Sequence, residues 1–293
     1  MNVCKLICCD IYQGIIKNRR FLVVPILCFF ECMYNDNLVA ILSNGSSFGK
    51  ITIFDLFTLV FRGNDPISKL PKDNSLMELP YFWIAIFVFA VFIGFEYMHN
   101  DLTQFGTQIL TRCRKRESWW LSKCIWCIAA TVWCYILIIG TIFLYGVLHD
   151  FILTPENNYK LTDALTNESV VYESASCKSI GIMDRLCIII APLTVILALN
   201  MIQMTLCLVI KPVYSYIISV VLIIAGTFSD SQIAFTRSAM VLYNMNYLKK
   251  GYNTHVGIII CLTITALCMI IGGIYFKKTN YLQENMMIFR VNF

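Results

Sequence analysis

Long, uninterrupted apolar runs dominate the chain, and short polar or charged segments separate them. A helix of about 20 apolar residues crosses the hydrocarbon core of a bilayer, which is roughly 30 Å thick. Helices satisfy their own backbone hydrogen bonds in lipid, whereas a membrane-spanning strand would alternate apolar and polar residues. The pattern therefore predicts an all-α, polytopic membrane protein with six transmembrane helices, at residues 21–42, 79–97, 121–146, 182–210, 213–229 and 256–276.

The composition agrees with a membrane location. Of the 293 residues, 58% are hydrophobic and only 14% are charged, whereas soluble domains carry about 25% charged residues. The net charge of +5 is small and gives no indication of a nucleic-acid partner. We therefore expect a multi-pass protein of a cell membrane, with lipids as partners and no nucleic acid.

Basic residues near the span ends predict the orientation, because Lys and Arg are enriched in cytoplasmic loops. With the N-terminus in the cytoplasm, the inner segments hold thirteen Lys and Arg residues and the outer segments hold ten. The inner basic residues also crowd against the span ends, where the rule has most force. Both termini are therefore predicted to be cytoplasmic.

The segments outside the predicted spans differ in kind. Residues 1–20 predict an amphipathic interfacial helix with two adjacent apolar rows, one through Ile7 and Ile11 and the other through Cys8 and Tyr12. Asp10 lies away from both rows. The extracellular loops are expected at residues 43–78 and 149–181, and residues 230–254 form an outer loop or a re-entrant helix with an apolar stretch at 239–247.

Candidate chemistry is sparse along the chain. Cys124 and Cys127 match a Cys-x-x-Cys pair, but no second pair follows at the spacing of a zinc site. The three histidines, at positions 99, 149 and 255, lie at three different span ends. We expect no catalytic residue, no cofactor site and no metal site in this chain.

Polar residues inside the spans are candidates for function, because they are costly in lipid. Asn200 and Gln203 are three residues apart and share one helix face. They either line a translocation path or a dimer interface, or form interhelical hydrogen bonds within one subunit. Glu96, near the inner end of the second predicted span, is a further candidate for the path or the interface.

A basic, tryptophan-bearing segment precedes the third predicted span. Basic side chains bind lipid phosphates, and tryptophan rings favour the headgroup depth. The expected interfacial anchor consists of Arg114, Lys115, Arg116, Trp119 and Trp120.

The inner segment around this anchor carries a series of residues found together in a known family. The series reads Glu96-Tyr97, then Phe-Gly-Thr-Gln-Ile-Leu-Thr-Arg at residues 105–112, then Trp-Trp-Leu-Ser-Lys at residues 119–123. With the amphipathic N-terminal helix, the six spans and the outer region between the last two spans, it resembles the permease subunits of type-2 ABC transporters.

The resemblance implies a single transmembrane permease domain over residues 1–293. In that family, the loop between the second and third spans contains a coupling helix that docks on a separate ATPase subunit, which places the cytoplasmic coupling segment at residues 99–120 here. The residues implied to contact the ATPase are Asp101, Gln104, Thr107, Gln108 and Arg112. ATP and Mg are then bound by the partner chain, and this chain is not an enzyme.

The resemblance also implies an assembly of two permeases, identical or different, with two ATPases. Such transporters of bacterial cytoplasmic membranes export amphipathic or antimicrobial peptides, which is the substrate class expected here. Alternative functions stay open: a membrane receptor or sensor with the extracellular loops as its ligand site, an ABC permease for small drugs or lipids, and an intramembrane enzyme.

Overall fold

A computed structural model describes most of the chain. The described residues are 3–43, 51–63, 80–100, 116–156, 158, 161, 180–229, 234–241, 244–246 and 251–278. Their helices are α1 (Val3–Ile11), α2 (Val23–Ser43), α3 (Ile53–Val60), α4 (Tyr81–Asn100), α5 (Arg116–Leu148), α6 (Ile182–Leu206), α7 (Pro212–Phe228) and α8 (Thr254–Lys278). Short helical turns cover Tyr12–Ile16, Arg19–Leu22 and Phe235–Ala239. The described part is therefore all-α, as predicted.

Four of the described helices are long and apolar enough to cross a membrane. They are Arg19–Ile41, Ser118–Leu148, Ile182–Leu206 and Thr254–Lys277. The apolar helices Tyr81–Phe95 and Pro212–Phe228 are shorter. The prediction of a multi-pass membrane protein is thereby supported, whereas the number of six spans and the side on which the termini lie stay predictions.

Helix α6 lies at the centre of the described bundle, in contact with α4, α5, α7 and α8. Its apolar side chains Val195, Ile196, Ala198 and Leu199 are fully buried. Pro192 interrupts its hydrogen-bond ladder, because proline has no backbone N–H. The hydroxyl of Tyr135 on α5 donates to the Ile189 carbonyl one turn earlier and thus supplies a donor beside the interruption.

The described parts of the segments predicted to be extracellular pack on each other. Thr52 caps α3 by a capping box with Asp55, and the amide of Asn158 donates to the Asp55 carboxylate at 2.8 Å. Burial raises the pKa of Asp55, and the hydrogen bonds from Asn158 and Thr52 oppose that rise. The backbone amide of Val241 donates to the Phe61 carbonyl at 2.8 Å. The segment after α7 therefore packs on the same group of segments. Its described helical turn, Phe235–Ala239, precedes most of the predicted apolar stretch at 239–247.

The protein-facing side of the N-terminal helix includes a charged residue. Leu6, Asp10 and Gly14 are buried, although the sequence pattern placed Asp10 on the polar side. Cys8 and Tyr12, which belong to a predicted apolar row, are exposed. An interfacial helix can keep apolar side chains toward lipid, and its protein-facing row can then hold a paired charge. The position of this helix in the membrane interface stays a prediction.

Candidate functional site

Most of the predicted coupling segment lies outside the described residues. This applies to Asp101, Gln104, Thr107, Gln108, Arg112, Arg114 and Lys115. Arg116 begins α5 and Glu96 lies in α4, but the structure describes only the backbone of these two residues. Their roles stay predictions, and the candidate site is built from the two helix ends that flank this segment.

A buried ion pair joins the N-terminal helix to the start of α5. The ammonium group of Lys123 donates to Asp10 Oδ1 at 2.8 Å, and the exposed fractions of the two side chains are 0% and 4%. Ser122, the preceding residue, donates its hydroxyl proton to Asp10 Oδ2 at 2.5 Å. Both carboxylate oxygens therefore accept hydrogen bonds, which is what a buried charge requires.

The last turn of α4 contributes Tyr97 to the same group of residues. Its hydroxyl donates to Asp10 Oδ1 at 2.7 Å and accepts from Lys123 at 3.2 Å. The Lys123 ammonium lies 4.8 Å from the Tyr97 ring centroid and 5.4 Å from the Trp119 ring centroid, within the range of cation–π attraction. We call Asp10, Tyr97, Ser122 and Lys123 the Asp10 cluster.

The Asp10 cluster lies at the base of the predicted coupling segment. Tyr97 is three residues before the end of α4, and Lys123 is in the second turn of α5. Asp10 of α1 therefore holds together the two helix ends between which residues 101–115 run. Stacking of Tyr97 on Trp126, with ring centroids 3.8 Å apart, adds a second contact between α4 and α5.

Sequence reasoning missed the Asp10 cluster. Lys123 was counted among the basic residues that set the topology, and Asp10 was assigned to a polar face. The available signal was the position of Lys123 among Trp119, Trp120 and Trp126, since a charge within an apolar helix needs a partner. No pattern in the sequence names that partner, because 113 residues separate Asp10 from Lys123.

The two predicted anchor tryptophans face the protein. Trp119 stacks on Phe276 with ring centroids 4.8 Å apart, and Trp120 donates its ring N–H to the Met269 carbonyl at 2.9 Å. Both side chains are buried. The depth of these two rings in the membrane stays a prediction. In the structure, both rings contact α8 and so help to pack α5 against it.

Glycine at position 272 permits the Trp120 contact, so we expect Gly272→Ala to destabilise the fold. An added Cβ would lie 2.1 Å from Trp120 Cζ2, whereas a Cβ at Gly140 meets no atom within 4 Å. Overpacking of this kind costs about 1–3 kcal/mol. Thermal unfolding in detergent should show a lower midpoint for Gly272→Ala and no loss for Gly140→Ala. Equal midpoints for the two variants would contradict the close contact of α5 and α8.

Asn200 and Gln203 lie in the centre of the bundle. The Asn200 amide donates to Thr131 Oγ1 of α5 at 3.1 Å. In the orientation that satisfies both of its groups, the Gln203 amide donates to the Val91 carbonyl at 3.3 Å and accepts from the Phe95 amide of α4 at 2.9 Å. The interpretation as interhelical hydrogen bonds is therefore confirmed. A role in a path or at a dimer interface stays a prediction.

A small cavity adjoins Asn200 and is also lined by Gly94, Trp126 and Thr131. It has room for about one water molecule. In this conformation the cavity is therefore too small to admit a peptide, and passage beside Asn200 would require the helices to separate.

Comparison with known proteins gives one family. A family model described as protein of unknown function (DUF2705) matches residues 37–282. The match begins within α2, so it includes Tyr97, Ser122 and Lys123 but not Asp10. No curated protein and no solved structure matches the chain.

Proposed function

Since the chain belongs to the DUF2705 family, whose description assigns no activity, we propose its function from the site: it is the membrane-spanning permease subunit of an ATP-driven exporter of the type-2 ABC class. It hydrolyses no ATP itself. A separate ATPase subunit, which binds ATP and Mg, docks on residues 99–120. The proposal includes six spans with both termini in the cytoplasm.

The Asp10 cluster is the observation that carries this proposal. A docking segment transmits movement to the membrane only when its two ends are held firmly by the helices that must move. Here the end of α4 and the start of α5 are tied to each other and to α1 through one buried carboxylate. Ser122 and Lys123, the residues that close the family-like series, are the two that bind Asp10 from α5.

The polar contacts of α6 offer a route by which such movement reaches the membrane core. The side chains of Gln203 and Asn200 hydrogen-bond to α4 and α5, the two helices that flank the docking segment. We propose that closure of the ATPase dimer shifts the ends of α4 and α5, and that these hydrogen bonds carry the shift to α6. The path then opens between two copies of the chain or between this chain and a related permease.

The helix lengths support the six-span part of the proposal. α4 has 20 residues and α7 has 17, and a transmembrane helix needs about 17–25 residues. Lys211 and Pro212 at the start of α7 suit a short turn at the membrane surface after α6. The peptide substrate, amphipathic or antimicrobial, and the bacterial cytoplasmic membrane rest on the resemblance to type-2 ABC permeases.

Purification of the tagged chain from membranes of its own host tests the proposal. We expect an ATPase to co-purify and ATP hydrolysis to rise when an amphipathic cationic peptide is added. Combined substitution of Asp101, Gln104, Thr107 and Gln108 by Ala should lower the retained ATPase at least about tenfold, which corresponds to about 1.4 kcal/mol of binding free energy. The matched control is Lys211→Ala in the other inner turn, which should retain the ATPase.

Two results would contradict the proposal. If the purified chain carries no ATPase, the transport function fails and a receptor or sensor becomes the better account. If an ATPase co-purifies equally with the fourfold variant, the assignment of residues 99–120 as the docking segment is wrong.

A further inference from the structure

Three side chains from two distant segments of the sequence meet near the starts of α6 and α8. His255 Nε2 lies 3.1 Å from Asp184 Oδ1, and His255 Nδ1 lies 3.3 Å from Cys187 Sγ. Asp184 and Cys187 are three residues apart on α6 and so share one face. We predicted no catalytic residues from the sequence, where this group is not visible because His255 follows Asp184 by 71 residues.

Local structure holds His255 in place. It lies in the first turn of α8, and Asn253 Oδ1 accepts hydrogen bonds from the backbone amides of His255 and Val256 at 3.1 and 3.4 Å. Asparagine is a favoured residue at the start of a helix for this reason. The ring therefore projects from a capped helix end toward α6.

The contact with the Asp184 carboxylate favours one tautomer of the neutral His255 ring. An ionised carboxylate only accepts hydrogen bonds, so Nε2 of the neutral ring carries the proton and Nδ1 is the acceptor. The thiol of Cys187 is then the donor to Nδ1. A nucleophile, a base within reach of its proton, and an acid that orients the base are the groups from which a nucleophilic cysteine site is built.

The same geometry argues against a metal site. One ring nitrogen faces the carboxylate and the other faces the sulfur, so the three groups cannot converge on one ion. Within the part of the chain that the structure describes, no group of three or more His, Cys, Asp or Glu side chains could hold a metal ion.

The surroundings of Cys187 indicate the kind of molecule that could reach it. Half of the His255 side chain, 52%, is exposed. Met183, Leu186 and Ile259, on the same two helices, are exposed apolar side chains on candidate membrane spans. The thiol therefore contacts a half-exposed imidazole and lies on a helix that also carries exposed apolar side chains suited to lipid. A molecule with a reactive polar head and a long apolar chain fits both.

We propose that Cys187, His255 and Asp184 form a thiol acylation site that accepts the acyl group of a long-chain acyl thioester. A thioester is the fitting donor because exchange of one thioester for another is nearly isoenergetic, whereas attack of a thiol on an oxygen ester is unfavourable. This site is independent of the proposed transport function and lies on other residues.

The reaction balances within these three residues and the donor. His255 Nδ1 takes the proton of the thiol, and Cys187 Sγ forms a bond to the acyl carbonyl carbon. The bond between that carbon and the donor sulfur then breaks, and His255 returns the proton to the donor sulfur, which leaves as a free thiol. Asp184 accepts a hydrogen bond from Nε2–H during the whole reaction, and its charge stabilises the imidazolium ion that forms transiently on His255.

The test uses the full chain in detergent micelles with an alkyne-tagged palmitoyl thioester of N-acetylcysteamine. We expect a hydroxylamine-sensitive label on Cys187, located by mass spectrometry. His255→Gln should lower the initial labelling rate about 100-fold or more, the usual contribution of a general base. Asp184→Asn should lower it less. The matched control is Cys8→Ser, which removes an exposed thiol of α1 and should leave the rate at Cys187 unchanged.

Several outcomes would overturn the site. A label on Cys8 or Cys9 of the wild-type chain in place of Cys187 excludes selective activation, and this measurement needs no variant to fold. An unchanged labelling rate in the His255→Gln variant excludes His255 as the base. If the acetyl thioester of N-acetylcysteamine labels Cys187 at the same rate as the palmitoyl thioester, a preference for long-chain donors is excluded. Thermal unfolding of each variant in the same detergent shows whether a lower labelling rate comes from the missing base or from an unfolded protein.

Discussion

Lys123→Met is expected to destabilise the protein by about 3–5 kcal/mol, because it leaves a buried carboxylate without its cation. Asp10 accepts hydrogen bonds from Lys123, Tyr97 and Ser122, and only the lysine carries a positive charge. Methionine preserves most of the side-chain length, so the main change is the loss of charge. The free energy of unfolding, measured by titration with SDS from mixed micelles, should report this loss.

The double variant Asp10→Leu with Lys123→Met separates charge from packing. Removal of both charges avoids the unpaired carboxylate, so it should recover a large part of the lost stability. The matched control is Lys5→Met, which removes an exposed lysine of α1 and should change the free energy by no more than about 0.5 kcal/mol. A double variant as unstable as Lys123→Met would show that the loss does not arise from the unpaired Asp10 charge.

Trp119→Ala is expected to cost about 3–5 kcal/mol, the usual loss for removing a fully buried aromatic side chain. The Trp119 ring stacks on Phe276 of α8 and lies beside the Lys123 ammonium. Its removal opens a void between α5 and α8 and withdraws part of the aromatic environment of the ion pair. The measurement is again the free energy of unfolding in mixed micelles.

Trp133→Ala is the matched control on the same helix. Trp133 is 44% exposed on the described chain, so its truncation should cost much less than that of Trp119. If Trp119 acted mainly as an anchor in the lipid headgroups, its replacement would weaken membrane placement more than unfolding stability. Equal stability of Trp119→Ala and the wild type would therefore favour the anchor over the packing role seen in the structure.

Much of the helical plan follows from the apolar runs, whereas the contacts of individual polar residues do not. Each described long helix falls on a predicted run, since backbone satisfaction in lipid leaves a continuous apolar segment few options besides a helix. Asn200 and Gln203 were recognised as buried polar groups from their positions in such a run. Their partners on α4 and α5 could not be predicted, because hydrogen bonds between helices depend on how the helices pack.

The same division explains why the burial and pairing of Asp10 were not predicted. Amphipathic patterns assign polar residues to water, and that rule holds when the other side of the helix meets a protein core. In a membrane protein the apolar side can meet lipid instead, so the pattern cannot tell which face contacts the protein. Cys187 and His255 show the same limit, since each looks like a single residue at a span end.

Taken by itself, the sequence determined an all-α membrane protein with long apolar helices, a charged segment after the second run and an amphipathic start. These properties depend on the free energy of transferring side chains from water to lipid. That free energy is a sum of contributions from residues that are close together in the chain. Only the tertiary structure decided that Asp10 pairs with Lys123, that Trp119 faces α8, and that His255 lies between Asp184 and Cys187. Those contacts depend on the relative placement of helices, where charges and hydrogen-bond donors act over a few ångströms between residues far apart in sequence.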